Sequence, residues 1–148
     1  MIEVRASEII KTAKSWLGTP YQHQAIIRQV GSDCLGLVSG VAIDLKYLPK
    51  DFYKIDPETI GYGRQPYGKL VPLFQKYCEE IGIDELSAGH IIIFRIKKEP
   101  QHCGIFIGDN RLIHAYQTVP FVVEHEMTEE WQNRITNIFR FPNGISSN

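Results

Sequence analysis

The stretch HIIIFRIKKEPQHCGIFIGDNRLIHAY, residues 90–116, holds three apolar runs separated by turn-forming residues. Short runs rich in Ile, Phe and Leu favour strands, and Gly108-Asp109-Asn110 is typical of a hairpin turn. We predict strands over 90–96, 102–107 and 111–116, and two more over 121–125 and 135–141. The second half of the chain is therefore predicted to form an antiparallel sheet.

Upstream of these strands, apolar residues follow a helical spacing. Helices are predicted over 7–17, 34–45 and 70–81, with Ser7 and either Ser32 or Asp33 as N-caps and Gly18 and Gly82 as stops. Residues 19–32 show no clean period and are interpreted as an ordered loop. Residues 46–69 are rich in Tyr, Pro and Gly and are a candidate wall of a cleft. Helices followed by strands predict an α+β fold.

The composition predicts one domain over residues 1–148 and argues against several classes of function. The 148 residues are 43% hydrophobic and 22% charged, and their formal net charge is −1. No basic run exceeds Lys97-Lys98, so no nucleic-acid partner is expected. The apolar runs are strand-sized, so no membrane span is expected. The charged N-terminus lacks the apolar core of a signal peptide, and synthesis in the cytoplasm without an export signal is expected.

The cysteines, at positions 34, 78 and 103, do not have the spacing of a disulfide framework or a metal knuckle, so neither metal nor cofactor is expected. Cys34 follows Asp33 at a predicted helix start, where unpaired N–H groups and the helix dipole favour a thiolate. A small buried side chain on the apolar face of the helix is an equally good interpretation of its placement. Gly36 in the same helix indicates close approach by another group.

A nucleophilic cysteine needs a base, and His102 and His114 flank the predicted hairpin turn. If the turn has three residues, His114 faces Gly104 and lies diagonal to His102 on the same face of the sheet. If the turn has two residues, the two imidazoles point to opposite faces unless a bulge intervenes. Each histidine taken alone is more often structural. Alternation puts Cys103 on the face opposite His102, where we interpret it as a packing residue, as we do Cys78.

Four segments of the sequence form a linked series: Gly18-Thr19-Pro20-Tyr21, Asp33-Cys34-Leu35-Gly36-Leu37-Val38, His102-Cys103-Gly104-Ile105-Phe106-Ile107-Gly108 and Ile113-His114-Ala115. This series resembles the motifs of the NlpC/P60 cell-wall cysteine peptidases. The match in order and spacing runs nearly end to end. The form Asp-Cys-Leu-Gly-Leu, together with His23-Gln24, His114-Ala115-Tyr116 and Phe139-Arg140-Phe141-Pro142, resembles the phage-tail and gene-transfer-agent branch of that family.

The resemblance implies a papain-like α+β fold, with N-terminal helices, the cysteine at a helix start, and a C-terminal antiparallel sheet. It implies hydrolysis of an amide bond in peptidoglycan stem peptides, commonly between D-γ-glutamate and meso-diaminopimelate. Residue by residue, Cys34 matches the nucleophile, His102 the base, and His114 the residue that orients the base. Tyr21 matches a tyrosine near the nucleophile. Asp33 is expected to cap the helix or to hold a substrate amine, and the two roles can coexist.

The sequence also departs from the family pattern. Ser87-Ala88-Gly89-His90 stands where the family usually has Pro-Gly-Asp, and His90 is not a catalytic candidate. His23 and His125 are weaker candidates, and a zinc site is not expected because no pair has short ligand spacing. A phage-like tail is the expected carrier to the cell wall. The alternatives are a non-catalytic tail-tip protein and a cysteine amidase or acyl transferase with another acyl donor.

Overall fold

The computed structural model of the chain describes residues 4–52, 69–116 and 118–142. In these ranges the helices are α1 (Val4–Lys14), α2 (Cys34–Asp44), α3 (Leu70–Tyr77) and α4 (Glu129–Asn133), with a 3-10 turn at Ile83–Glu85. The strands are β1 (Ile26–Ile27), β2 (Gly31–Ser32), β3 (Glu79–Ile81), β4 (Ile91–Ile96), β5 (Glu99–Phe106), β6 (Arg111–Ala115), β7 (Val122–Glu126) and β8 (Ile135–Arg140). No helix in these ranges has the length and apolar character that crossing a membrane requires.

Six of these strands form one antiparallel sheet in the order β3-β8-β4-β5-β6-β7, while β1 and β2 form a separate small hairpin. The five predicted strands are confirmed, although β5 begins at Glu99, earlier than expected. In the β5–β6 hairpin Ile105 pairs with Ile113, and Phe106 pairs with Leu112. This register confirms the three-residue turn over 108–110 and rules out the two-residue alternative.

The sheet has two different faces. The face that packs against α1, α2 and α3 is apolar and includes Ile93, Cys103 and Ile105, and we call it the helix face. On the opposite face, His102 packs against Phe94 and against Trp131 of α4, with ring centroids 5.8 and 5.5 Å apart respectively. We call this second face the histidine face. The prediction that Cys103 and His102 lie on opposite faces is confirmed.

Three predicted helix boundaries are wrong. Helix α1 includes Val4, so Ser7 lies inside the helix and is not its N-cap, and the helix ends at Lys14, before the predicted end at Leu17. The Arg5 side chain donates to the carbonyl of Phe141 at 2.8 Å, and this bond holds the residues before Ser7 against the end of β8. Helix α3 ends at Tyr77, short of its predicted end.

The residues after α3 form an edge strand instead of a further helical turn. Cys78 is extended, and residues 79–81 pair with β8. Ladder hydrogen bonds to β8 replace those that a longer helix would supply, so tertiary pairing overrides the local helical pattern. Within the predicted ordered loop over 19–32, Ile26 pairs with Ser32. Most of the proposed cleft wall over 46–69 lies outside the described residues.

Candidate active site

Cys34 is the first residue of α2, and Asp33 is the N-cap of that helix. Oδ1 of Asp33 accepts the N–H of Gly36 at 2.7 Å, and Oδ2 accepts the N–H of Gln24 at 2.8 Å. The carboxylate therefore ties the preceding loop to the helix start, which confirms the cap. A Cβ on Gly36 would lie 2.1 Å from the carbonyl oxygen of Ala25, so the close approach that this glycine indicated is also confirmed.

The Cys34 side chain is half-buried and contacts Cys103, which lies on the helix face of β5. Burial raises the pKa of the Cys103 thiol well above its ordinary value, and the hydrogen bond with Cys34 adds to this. Burial also raises the pKa of Cys78 to about 12. Cys78 and Cys103 therefore stay protonated at neutral pH. Cys34 is the cysteine whose position at a helix N-terminus suits a nucleophile.

Tyr21 is half-buried and packs against the same helix-face cluster as Cys34. Its backbone N–H donates to the carbonyl of Pro120 at 2.8 Å, and it forms an isolated bridge with Ser32. These contacts hold Tyr21 between the β6–β7 connection and the residues that lead into α2. Tyr21 and Cys34 thus pack against the same apolar core cluster.

His102 and His114 are in direct contact on the histidine face. Nε2 of His102 lies 2.7 Å from Nδ1 of His114, and the two residues are only 3% and 1% exposed. Burial, helped by His114 and the Arg134 guanidinium, lowers the pKa of His102 well below 6.5. Burial and then His125 lower the pKa of His114 to about 3. Both imidazoles are therefore neutral at neutral pH, with one donor and one acceptor nitrogen each.

A third imidazole, which the sequence analysis ranked low, continues this contact. Nε2 of His125 lies 2.7 Å from Nε2 of His114, and Nδ1 of His125 lies 2.9 Å from the carbonyl oxygen of Glu126. The two nitrogens of His114 are thus used by two different neighbours, so the imidazoles form a chain and do not surround a common point. Among the described residues, no group of three or more His, Cys, Asp or Glu side chains is placed to hold a metal ion.

Aromatic rings cover these hydrogen-bonded histidines. Trp131 lies 5.1 Å from His114, centroid to centroid, in an edge-to-face arrangement, and Tyr116 lies 4.9 Å from His102. The position of Trp131 depends on α4, whose N-cap Thr128 accepts the backbone N–H of Trp131 at 3.3 Å. Helix α4 was not predicted from the sequence, although Thr128 followed by two glutamates is a recognisable helix start.

Among the described residues, no hydrogen bond joins Cys34 to His102. His102 bonds through Nε2 to His114, whereas Cys34 contacts Cys103, the next residue along β5 but on the other face. The ladder between β5 and β6 ends at Ile105 and does not reach His102. Strands β5 and β6 are therefore not paired at His102. Because Nε2 of His102 is bonded to His114, Nδ1 is the ring nitrogen of His102 that this bond does not use.

Comparison with known families agrees with this arrangement of motifs. The sequence profile described as the NlpC/P60 family matches residues 18–140, a range that contains Tyr21, Cys34, His102 and His114. The chain belongs to the NlpC/P60 family. Membership of this family explains why the four motif segments occur in this order along the sequence.

Two curated relatives of this NlpC/P60 chain are distant and longer. The gamma-DL-glutamyl hydrolase of Bacillus subtilis (strain 168) is 24% identical over 140 residues, which are 91% of this chain and 29% of that protein. The murein DD-endopeptidase MepS/murein LD-carboxypeptidase of Escherichia coli (strain K12) is 23% identical over 128 residues, which are 86% of this chain and 58% of that protein. The chain therefore spans less than two thirds of either relative.

A solved structure establishes the fold. The crystal structure of the NlpC/p60 domain of the peptidoglycan hydrolase SagA matches with a TM-score of 0.63 and 19% sequence identity. The match covers 92% of this chain and 98% of that domain. The predicted papain-like combination of helices and an antiparallel sheet is confirmed.

Proposed function

We propose that this chain is a cysteine hydrolase that cleaves an amide bond in peptidoglycan stem peptides. One observation carries the proposal: His102 and His114 are buried, neutral and hydrogen-bonded to each other, beside the strand residue that Cys34 contacts. The name of one relative, a murein endopeptidase, supports a cell-wall peptide as substrate, and the name of the other, a gamma-DL-glutamyl hydrolase, supports cleavage next to a glutamyl group.

In the proposed reaction, Nδ1 of His102 takes the proton of the Cys34 thiol, and the thiolate attacks the amide carbonyl. In the structure the thiol and the imidazole lie against opposite faces of β5, so the proposed transfer requires a local rearrangement that brings Nδ1 of His102 to the thiol. The protonated His102 then gives its proton to the leaving amine, and a thioester remains on Cys34. Water, deprotonated by the same imidazole, attacks the thioester and releases the carboxylic acid and the thiol. His114 holds the His102 ring in place throughout.

The start of α2 is the proposed oxyanion site. The first N–H groups of a helix have no partner within it, and Cys34 is the first residue of α2. We propose that its backbone N–H donates to the oxyanion. Both carboxylate oxygens of Asp33 accept backbone N–H groups, so we assign Asp33 to fixing the helix start and not to binding a substrate amine. Tyr21 is proposed to line this end of the site.

The proposed scissile bond joins D-γ-glutamate to meso-diaminopimelate, as the family resemblance implies. To test it, diaminopimelate-type peptidoglycan fragments are incubated with wild type, Cys34→Ala and the matched control Cys78→Ala, and the products are analysed by mass spectrometry. New fragments should form with wild type and Cys78→Ala and not with Cys34→Ala, and their masses identify the bond.

Each other outcome has a defined meaning. Fragment masses that correspond to a different bond would retain the cysteine hydrolase and refute the assigned bond. No cleavage by folded wild type would refute the hydrolase, and would favour a non-catalytic component or an amidase or acyl transferase with another acyl donor.

We also propose that a phage-like tail carries the chain to the cell wall. The resemblance of His23-Gln24, His114-Ala115-Tyr116 and the segment 139–142 to the phage-tail branch supports this proposal. An antibody against the chain should detect it in purified tail particles from producing cells. Particles that lack the chain would contradict the proposal.

A further inference from the structure

His125 lies outside the set of residues to which the proposed reaction assigns a role, but it is bonded to that set. The hydrogen-bonded chain runs from His102 through His114 to His125, and it ends at the backbone carbonyl of Glu126. Each imidazole contributes both of its nitrogens to the chain, except His102, which contributes only Nε2. These hydrogen bonds therefore connect the backbone carbonyl of Glu126 to His102, the proposed base.

Hydrogen-bond complementarity assigns the proton positions along this chain. A carbonyl oxygen only accepts, so Nδ1 of His125 carries a hydrogen and points it at Glu126. When Nδ1 carries the only hydrogen of the His125 ring nitrogens, Nε2 of His125 is an acceptor and Nε2 of His114 donates to it. Neutral His114 consequently accepts at Nδ1, and Nε2 of His102 donates to it. This arrangement leaves Nδ1 of neutral His102 without a hydrogen.

We propose that His125 is a positioning residue that sets the tautomer of His102 through His114, and so keeps Nδ1 of His102 ready to accept the proton of Cys34. The inference deepens the proposed function and rests on it. An imidazole with the hydrogen on Nδ1 would present a donor to the thiol and would not act as its base. Glu126 takes part only through its backbone carbonyl, so its carboxylate has no role in this series of hydrogen bonds.

The position of His125 in the sheet supports this role. In the β6–β7 ladder His125 pairs with Leu112, so it lies diagonal to His114 on the histidine face. Both histidines therefore sit on hydrogen-bonded strands, which hold their rings more firmly than loops would. Trp131 packs over the histidines, 5.1 Å from His114 and 6.5 Å from His125 between centroids, and His114 is buried from water that would offer it another partner.

The first test reads the proton positions directly and needs no activity. Nitrogen-15 NMR of the imidazoles distinguishes a protonated from an unprotonated ring nitrogen. His125→Gln keeps an acceptor, Oε1, for the N–H of His114, whereas His125→Leu removes it. Wild type and His125→Gln should show His102 protonated at Nε2 only, and His125→Leu should show a substantial population protonated at Nδ1. An unchanged His102 tautomer in folded His125→Leu would overturn the proposal.

The second test is kinetic, on the stem-peptide substrate. The kcat of His125→Leu should fall about 10- to 100-fold, a part of the 10²–10⁴-fold that a positioned general base contributes, with KM within about twofold of wild type. His125→Gln should recover most of the kcat. His90→Gln is the matched control, because His90 sits in a turn where its Nδ1 accepts the N–H of Ser87.

The two proposals fail separately. Inactive wild type refutes the proposed function, while the NMR result still decides whether His125 sets the tautomer of His102. Active wild type with an equal kcat in His125→Leu refutes the role of His125 alone.

Discussion

The helix face and the histidine face of the sheet are built from the same strands and both bury apolar side chains, but the histidine face also buries hydrogen-bonded imidazoles. Ile93 and Cys103 on the helix face contact apolar side chains, whereas His102 and His114 on the histidine face contact each other through a hydrogen bond. Apolar burial stabilises the fold without direction, but buried polar groups need partners in a defined geometry. We infer that stability depends mainly on the helix face, and that proton positions are set on the histidine face.

The largest expected effect comes from removing the base on the histidine face. His102→Phe keeps a ring of similar shape against Trp131 but has no nitrogen, so kcat/KM for a stem peptide should fall about 10²–10⁴-fold. The lost partner of His114 costs about 1–3 kcal/mol of stability, and circular dichroism therefore checks that the variant is folded. Activity of a folded His102→Phe within about twofold of wild type would contradict the assignment.

The matched change on the helix face should affect stability and leave the chemistry intact. Ile93 is fully buried there. Ile93→Ala should lower the free energy of unfolding by about 2–5 kcal/mol, measured with urea, because it leaves a cavity. The kcat of the folded fraction should stay at the wild-type value. A large fall in kcat without a fall in the free energy of unfolding would show that packing on the helix face also controls the chemistry.

Acid should destabilise the protein through the histidine face. The pKa of His102 in the folded chain is well below 6.5 and that of His114 is about 3, whereas in the unfolded chain both return to about 6.5. Below that pH the unfolded chain binds more protons than the folded chain, so the free energy of unfolding falls as the pH is lowered toward the folded-state values. The slope should reach about 1.4 kcal/mol per pH unit for each histidine.

Urea unfolding between about pH 7 and about pH 5 measures this slope. His102→Phe should show a clearly smaller slope than wild type, and His90→Gln should keep the wild-type slope. An equal slope in wild type and His102→Phe would show that burial of His102 is not a source of the acid sensitivity.

The smallest expected effect concerns the junction between the loop and α2. Asp33→Ala removes the N-cap and should lower the free energy of unfolding by about 0.5–2 kcal/mol. Asp33→Asn keeps an oxygen for the N–H of Gly36 and should lose less. Thermal unfolding of the two variants makes the comparison, and equal loss in both would mean that the cap bond is not what Asp33 contributes.

Local rules in the sequence predicted the parts of the site that depend on neighbouring residues. The length of the 108–110 turn and the two-residue period of strands decide that His102 meets His114 and that Cys103 faces the other way. The capping preference of aspartate decides where α2 begins. These features involve short sequence separations, so one sequence contains the information that determines them.

Other features depend on contacts that no local pattern encodes. The apolar spacing over residues 70–81 predicts a helix up to Ile81, but pairing of residues 79–81 with β8, far along the chain, makes them a strand. The contact of His125 with His114 depends on the register between β6 and β7, which the longer connection between those strands leaves open. The contact of Cys34 with Cys103 depends on how α2 packs against the sheet.

The central claim is that an imidazole of the histidine face activates a thiol that contacts the helix face. The most direct measurement is the alkylation rate of Cys34 by iodoacetamide from about pH 5 to about pH 9, in wild type and His102→Phe, followed by mass spectrometry of the labelled peptides. The high pKa values of Cys78 and Cys103 make these two cysteines slow internal references. We predict that Cys34 of wild type reacts faster at neutral pH than a free thiol and that His102→Phe loses this advantage. Equal Cys34 rates in the two proteins across this range would contradict the claim.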